Sequence, residues 1–309
     1  MIYKTLGKKN IKASQIGFGC WQLGGNLVVG NNPHGYGTID KHEATKAIHC
    51  SIDKGINFFD TADAYGLGES EITLGQALKK KRNKAIICTK GGKYSDGINE
   101  FILDASYKYI ISACENSLKR LNTDYIDIYL LHFIPPQNQM NESLDALKKL
   151  QKEGKIKEYG ISIAHEIDKI PELSKDFTIV EGYYNLLLKD FEKYESFKTN
   201  FIAASPLSRG LLSGKKNTSK LDDGDVRNKW GKGQPQYKWY IAQQKKISKF
   251  EKLSNETNIP LKILALAYIL SNNALVIPGI KTQNQISELL ECLNYVPLSI
   301  EIMKKIKKI

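Results

Sequence analysis

The sequence predicts an α/β fold of the (β/α)8 TIM-barrel class, and three observations carry that prediction. Eight short apolar runs recur along the 309 residues, segments of helical periodicity separate them, and chemically capable side chains stand where several runs end. The runs cover 16–19, 57–59, 85–89, 126–131, 159–163, 178–180, 201–204 and 275–277. Short runs apolar on both faces and alternating with helices imply a parallel sheet covered by helices, and eight such units in about 250–300 residues suit a closed barrel. An open doubly wound sheet fits less well. No G-x-G-x-x-G follows the first run, where Gly17-Phe-Gly19-Cys-Trp-Gln-Leu-Gly24-Gly25 has other spacing.

The first run leads into a connection at 22–39 that is rich in Gly and Asn. The second closes on Asp60, with Tyr65 five residues beyond it in Gly55-Ile-Asn-Phe-Phe-Asp60-Thr-Ala-Asp-Ala-Tyr65-Gly66. The third stops at Lys90 and opens the connection 91–104. Ser106 then precedes Ile110, Ala113, Ser117 and Leu121 at helical steps, a capping residue followed by one apolar stripe. The fourth run ends at His132, and Leu144, Leu147 and Leu150 repeat before Gly154, a natural helix stop. The remaining runs end at or just before Ser162, Glu181, Ser205 and Pro278-Gly279. A third long connection, 207–240, carries Trp230 and Trp239. Active sites of such barrels lie at the C-terminal strand ends, and long connections in compact domains tend to be functional, so these three are expected to wall the site.

With 41% hydrophobic residues and no low-complexity divider, the chain is expected to form one domain over 1–309. Its 45 basic and 33 acidic side chains leave a net charge of +12. The lysine runs at 79–84 and 304–308 lack interleaved aromatics and read as solvated faces, so nucleic acid is not an expected partner. The N-terminus lacks a basic segment followed by an apolar one, and no run approaches the roughly 20 apolar residues of a membrane span. The expectation is a cytoplasmic protein without a membrane partner. Five scattered cysteines form no C-x-x-C pair, and His42 and His49 lack metal-pair spacing, so no metal is expected. A closed barrel has no free sheet edge, which makes a monomer the default.

Asp60, Tyr65, Lys90 and His132 share one mouth in such a barrel. A neighbouring ammonium lowers a phenol pKa, so Lys90 is expected to activate Tyr65 as a general acid. Asp60 would hold Lys90 charged, and His132 would hydrogen-bond the same substrate oxygen. Protonating a carbonyl oxygen completes a reduction only if a hydride arrives, and no side chain supplies one; a reduced nicotinamide is required.

Motifs across nearly the whole chain resemble the aldo-keto reductase family. They include the segment around Asp60 and Tyr65, Glu69-Ser-Glu-Ile-Thr-Leu-Gly75, Ser117-Leu-Lys-Arg-Leu-Asn-Thr-Asp-Tyr-Ile-Asp127, Leu131-His132, Gly154-Lys-Ile-Lys-Glu-Tyr-Gly-Ile-Ser162, Ser205-Pro-Leu-Ser-Arg-Gly-Leu-Leu-Ser-Gly214 and Ile277-Pro-Gly279. The resemblance implies a catalytic tetrad of Asp60, Tyr65, Lys90 and His132, with Tyr65 the proton donor. It also implies an NADP(H) cradle of Ser162, Glu181, Ser205, Leu207, Gly279, Lys281, Thr282, Gln285 and Glu288. Lys281, Thr282 and Gln285 would face a phosphate at a helix start, and Glu288 the adenine amino group. The cradle departs from the family's pattern in three places. Glu181 stands for a glutamine that holds the nicotinamide carboxamide, Ile163 for its asparagine partner, and Ala204 for a tyrosine that stacks on the ring; Tyr183 or Tyr184 would fill the space over the ring. A buried Glu181 would favour the cationic, oxidised cofactor.

The resulting expectation is an NADP-dependent reductase of a small polar carbonyl metabolite. Trp21, Tyr65, His132 and Trp230, with Tyr36 and Trp239 nearby, would contact the substrate, and these aromatics suit a sugar or sugar derivative. Two alternatives stand beside it: a cofactor-retaining enzyme with internal redox cycling, epimerase- or dehydratase-like, and a nucleotide-binding regulatory protein of the same fold.

Overall fold

The computed structural model describes residues 1–173, 175–193, 200–214, 221–234 and 236–309. Within the connection 207–240, residues 215–220 and 235 lie outside the described residues. Eight parallel strands form one sheet: β1 (Phe18–Gly19), β2 (Phe58–Asp60), β3 (Ile86–Gly91), β4 (Ile126–Leu131), β5 (Ile156–Ser162), β6 (Ile179–Tyr183), β7 (Phe201–Ala204) and β8 (Leu275–Val276). Neighbours in space follow chain order. Parallel bridges Ile16–Val276 and Gly19–Gly279 join the first strand to the last and close the barrel, with Gly17 N donating to Val276 O at 2.8 Å. The predicted (β/α)8 barrel is the observed fold.

Helices α1 (Lys41–Asp53), α2 (Glu69–Leu78), α3 (Tyr107–Leu121), α4 (Gln137–Lys152), α5 (Ile170–Leu173), α6 (Tyr237–Thr257), α7 (Leu261–Ser271), α8 (Gln283–Leu290) and α9 (Ile300–Lys308) follow or flank the strands. Local chemistry sets their ends. The Ser106 hydroxyl accepts from Tyr109 N at the start of α3, which buries Ile110, Ala113, Cys114, Ser117 and Leu121 and stops at the left-handed Asn122. In α4, Leu144, Leu147 and Leu150 are buried, and Gly154 follows with φ 74°.

Side-chain alternation along the strands separates two apolar cores. Phe59, Ile87, Tyr129, Leu131, Val180 and Ala203 face the helices. Phe58, Cys88, Ile128, Leu130, Ile179, Ile202 and Leu275 fill the barrel interior. An antiparallel hairpin, Tyr3–Leu6 with Ile11–Ser14, packs Leu6 and Ala13 into that interior cluster. Tyr3 Oη donates to Gly55 O at 2.9 Å, just before β2, so the hairpin covers the N-terminal ends of the strands. The same parity continues past the apolar layer. Counting two residues on from Phe58, Cys88, Leu130 and Ile179 reaches Asp60, Lys90, His132 and Glu181, which places all four on the inward face at the open end.

Candidate active site

Lys90 is the centre of that end. Its Nζ donates to Asp60 Oδ1 at 2.6 Å and to Thr61 O at 2.9 Å, and it lies 3.2 Å from Glu181 Oε2 and 3.5 Å from Tyr65 Oη. The ion-pair cluster is out of solvent: the Lys90, Asp60 and Glu181 side chains are 0%, 3% and 4% exposed. Ser162 Oγ donates to Glu181 Oε1 at 3.1 Å, which ties β5 to β6 at the same level. Asp60, Cys88 and Glu181 bring ligand-type atoms within 4.8 Å of one another. Lys90 Nζ lies 2.6 Å from the Asp60 carboxyl and 3.2 Å from that of Glu181.

Tyr65 is delivered by the turn after β2. There Gly66 takes φ 62°, and a Cβ on Gly24 would stand 2.6 Å from Gly66 N and 2.8 Å from Tyr65 C. The two loops meet backbone to backbone, so glycine at both positions sets where the phenol sits. The Tyr65 ring stacks on Trp21 at 5.5 Å and meets His132 edge-on at 5.8 Å.

Burial would lower the Lys90 pKa, but Asp60 and then Glu181 hold it well above the usual lysine value, and the ammonium stays charged. Burial, followed by repulsion from Asp60 and against the pull of Lys90, pushes the Glu181 carboxyl up to about 8. Burial, then Lys90 and Lys93, hold the His132 imidazole well below its usual value, so it is neutral, with Nδ1 buried and unpaired. Lys90 pulls the Tyr65 pKa down, as expected, but burial is the larger effect and Asp60 and Glu181 oppose Lys90, so the phenol is held well above its ordinary value. A neutral Tyr65 is still the form that carries the proton a general acid gives up.

Above this floor opens a cavity of about 1530 Å³. Trp21, Tyr36, Tyr65, His132, Ser162, Glu181, Ser205, Leu207, Trp230, Gly279, Lys281 and Gln285 all line it. Trp230 stacks on Tyr240 at 5.5 Å and meets Trp239 at 6.3 Å, making an aromatic wall from the 207–240 connection. Ser205, Ser208 and Arg209, just past β7, adopt positive φ, a left-handed conformation costing roughly 1–2 kcal/mol per residue.

At the start of α8, Gln285 Oε1 accepts from Lys281 N at 2.7 Å and from Thr282 N at 3.1 Å, so the side chain caps the helix. Lys281 Nζ donates to Tyr36 O at 2.6 Å, and burial, then Arg227, lowers its pKa. Glu288 is paired with Lys262. The two tyrosines expected over the cofactor ring separate. Tyr183 lines the cavity, whereas Tyr184 lies among Phe191, Phe201 and Tyr268 in the outer core, because strand alternation sends successive residues to opposite faces. Sequence reasoning missed His34, Phe101, Lys93 and Arg209, which reach the cavity from three different connections. Their common signal was only that each lies in a loop following a strand end.

The family model described as Aldo/keto reductase family matches residues 15–309. The chain is similar to the aldo-keto reductase YhdN of Bacillus subtilis, with 33% identity over 263 residues that cover 82% of this chain and 76% of that protein. Among solved structures it is similar to the aldo-keto reductase AKR11C1 from Bacillus halodurans in its holo form, at 26% identity and TM-score 0.76, covering 100% of this chain and 96% of that one. It is also similar to the glycerol dehydrogenase AKR11B4 from Gluconobacter oxydans, at 27% identity and TM-score 0.79, covering 99% and 94%.

Proposed function

This chain belongs to the aldo/keto reductase family, and from that premise we propose that it is an NADP-dependent oxidoreductase reducing the carbonyl of a small polar metabolite to an alcohol. The observation that carries the reading is the buried ammonium of Lys90, held by Asp60 at 2.6 Å and placed 3.5 Å from the Tyr65 hydroxyl beside a neutral His132. A bound reduced nicotinamide supplies the hydride that side chains lack. Ser162 and Glu181 suit its carboxamide: one offers a hydroxyl, and the other a carboxyl whose oxygens can accept from the carboxamide NH₂. Lys281 and the first turn of α8 suit a phosphate. With the substrate carbonyl against Tyr65 Oη, the phenol gives up its proton as charge builds on the oxygen, and Lys90 Nζ stabilises the phenolate left behind.

The test is a titration of the purified protein with NADPH and with NADH, followed by tryptophan quenching, since Trp21 and Trp230 line the cavity. NADPH-selective binding, with carbonyl-dependent consumption of the bound NADPH, is expected. Binding of neither nucleotide would overturn the reading and favour a regulatory role for the fold.

Glu181 supports a second reading, in which cofactor is retained and regenerated within each turnover as in an epimerase or dehydratase. Its carboxyl shares Lys90 with Asp60 at the reaction centre. NADP(H) that survives purification and a substrate turned over without net NADPH consumption would support it.

The glutamate also makes a pH-dependent prediction. Its folded pKa of about 8 lies above a glutamate's ordinary 4.5. The folded chain therefore retains a proton that the unfolded chain has lost across that window, and stability falls as pH rises through it. Glu181→Gln should consequently melt progressively higher relative to wild type as pH rises toward about 8. In wild type, NADP⁺ should gain affinity over NADPH with rising pH, about tenfold for each unit by which the bound cation lowers the carboxyl pKa. The Gln variant should lose that gain. Parallel pH profiles for the two proteins would show that the carboxyl does not face the cofactor.

A further inference from the structure

The cavity has cations on two sides, and only one side belongs to the expected nucleotide path. Lys281 and Arg227 lie near the start of α8, beside the strand ends that carry Ser162, Glu181, Ser205 and Gly279. Across the mouth, the connections after β1 and β3 bring His34 and Lys93 to the cavity wall, and the long connection after β7 brings Arg209 and Lys229 over to them.

Among the described residues, no carboxylate oxygen lies within 4.0 Å of Lys93, Lys229 or Arg209. Lys93 sits over the Phe101 ring at 4.5 Å, and Arg209 over the Trp21 ring at 5.8 Å with Nη1 3.3 Å from Gln236 Oε1. Two acids lie within electrostatic reach. Asp63 lies near Glu71, and burial holds it well above the usual carboxylate range; it attracts Lys93 only from beyond ion-pair distance. Glu100 accepts from Asn32 Nδ2 at 2.6 Å and pairs with none of the three. The His34 imidazole is pressed down to about 4, first by burial and then by Lys229 and Lys93, with Glu100 opposing them. Like charges gathered on a concave, partly desolvated wall raise the local concentration of anions.

We propose that Lys93 and Arg209 on the cavity wall beside His34, with Lys229 within electrostatic reach, form an anion-binding subsite, and that the carbonyl compound reduced here carries a phosphate or carboxylate remote from its carbonyl. The inference rests on the oxidoreductase reading and names its substrate class. The aromatic faces of Trp21, Phe101 and Trp230 would flank the body of such a molecule between the anion and Tyr65.

The test compares two pairs that share an aldehyde and differ in a remote charge: 4-carboxybenzaldehyde against methyl 4-formylbenzoate, and glyceraldehyde 3-phosphate against glyceraldehyde. Dissociation constants are measured by calorimetry with NADP⁺ present, and turnover separately with NADPH. The charged member of at least one pair should bind about tenfold tighter or more, the scale of one charge-assisted hydrogen bond. A preference confined to one pair assigns the anion. The preference should weaken with added salt in wild type and shrink toward unity in the double variant Lys93→Gln, Lys229→Gln. Equal affinities within both pairs, or a preference insensitive to salt and to the double variant, would overturn the proposal. Failure of all four compounds to consume NADPH would instead count against the oxidoreductase reading, while the binding contrast still decides the subsite.

Discussion

Tyr65→Phe is expected to reduce turnover about 10²–10⁴-fold, the range that a positioned general acid contributes, while nucleotide affinity changes little. The substitution removes one oxygen and keeps the ring. Stacking on Trp21 at 5.5 Å and the edge contact with His132 at 5.8 Å are ring contacts, so the floor of the cavity keeps its shape. What disappears is the hydroxyl 3.5 Å from Lys90 Nζ, the group from which a proton can leave while its charge is balanced by an ammonium. Neutral His132 is a poor substitute. Burial and two nearby lysines already disfavour its protonated form, so it has no labile extra proton to give. The loss should appear in kcat with KM nearly constant, because ground-state contacts with the substrate skeleton remain. Steady-state kinetics with any accepted carbonyl decides the matter, and a variant that keeps near wild-type kcat would move the proton donor elsewhere.

Lys90→Met is expected to remove activity and to destabilise the fold by about 3–5 kcal/mol, the range seen when one partner of a buried ion pair is deleted. Here one ammonium serves two carboxyls, Asp60 at 2.6 Å and Glu181 at 3.2 Å, and all three side chains are buried. Methionine fills similar volume but leaves both acids facing each other without a counter-charge. They can escape the penalty by taking up protons. The deficit relative to wild type should therefore shrink as pH falls toward about 4, where carboxyls of the unfolded chain protonate as well. Thermal melts of both proteins across that range measure this directly. Equal stability at neutral pH would mean that Lys90 contributes no net stabilisation to the pair of acids, and that the barrel end is wetter than its burial indicates.

The alternation of short apolar runs with helical stripes was legible because each depends on neighbours only two to four residues away. Ser106 capped the helix it precedes, Gly154 ended another, and each of the eight barrel strands overlaps one of the apolar runs. Asp60, Lys90, His132 and Glu181 were legible as strand-end residues for the same reason. Period-two alternation then fixes the face each one takes, given the apolar residue two positions earlier. That reasoning also shows why Tyr183 lines the cavity and Tyr184 does not. It failed for Tyr65, whose pKa direction depends on how much surrounding protein excludes water and on how many acids share Lys90. The pairing of Glu288 with Lys262 on another helix was likewise not legible.

The sequence by itself therefore determined the barrel, its polarity and the identity of the groups at its open end, because periodicity, capping and strand parity are local properties of the chain. Only the tertiary structure decided that Lys90 would be shared between Asp60 and Glu181, that Gly24 and Gly66 would meet to place Tyr65, and that His34, Lys93, Arg209 and Lys229 would converge from separate connections. Charge and desolvation act through space, and the distances that govern them exist only after the barrel has closed.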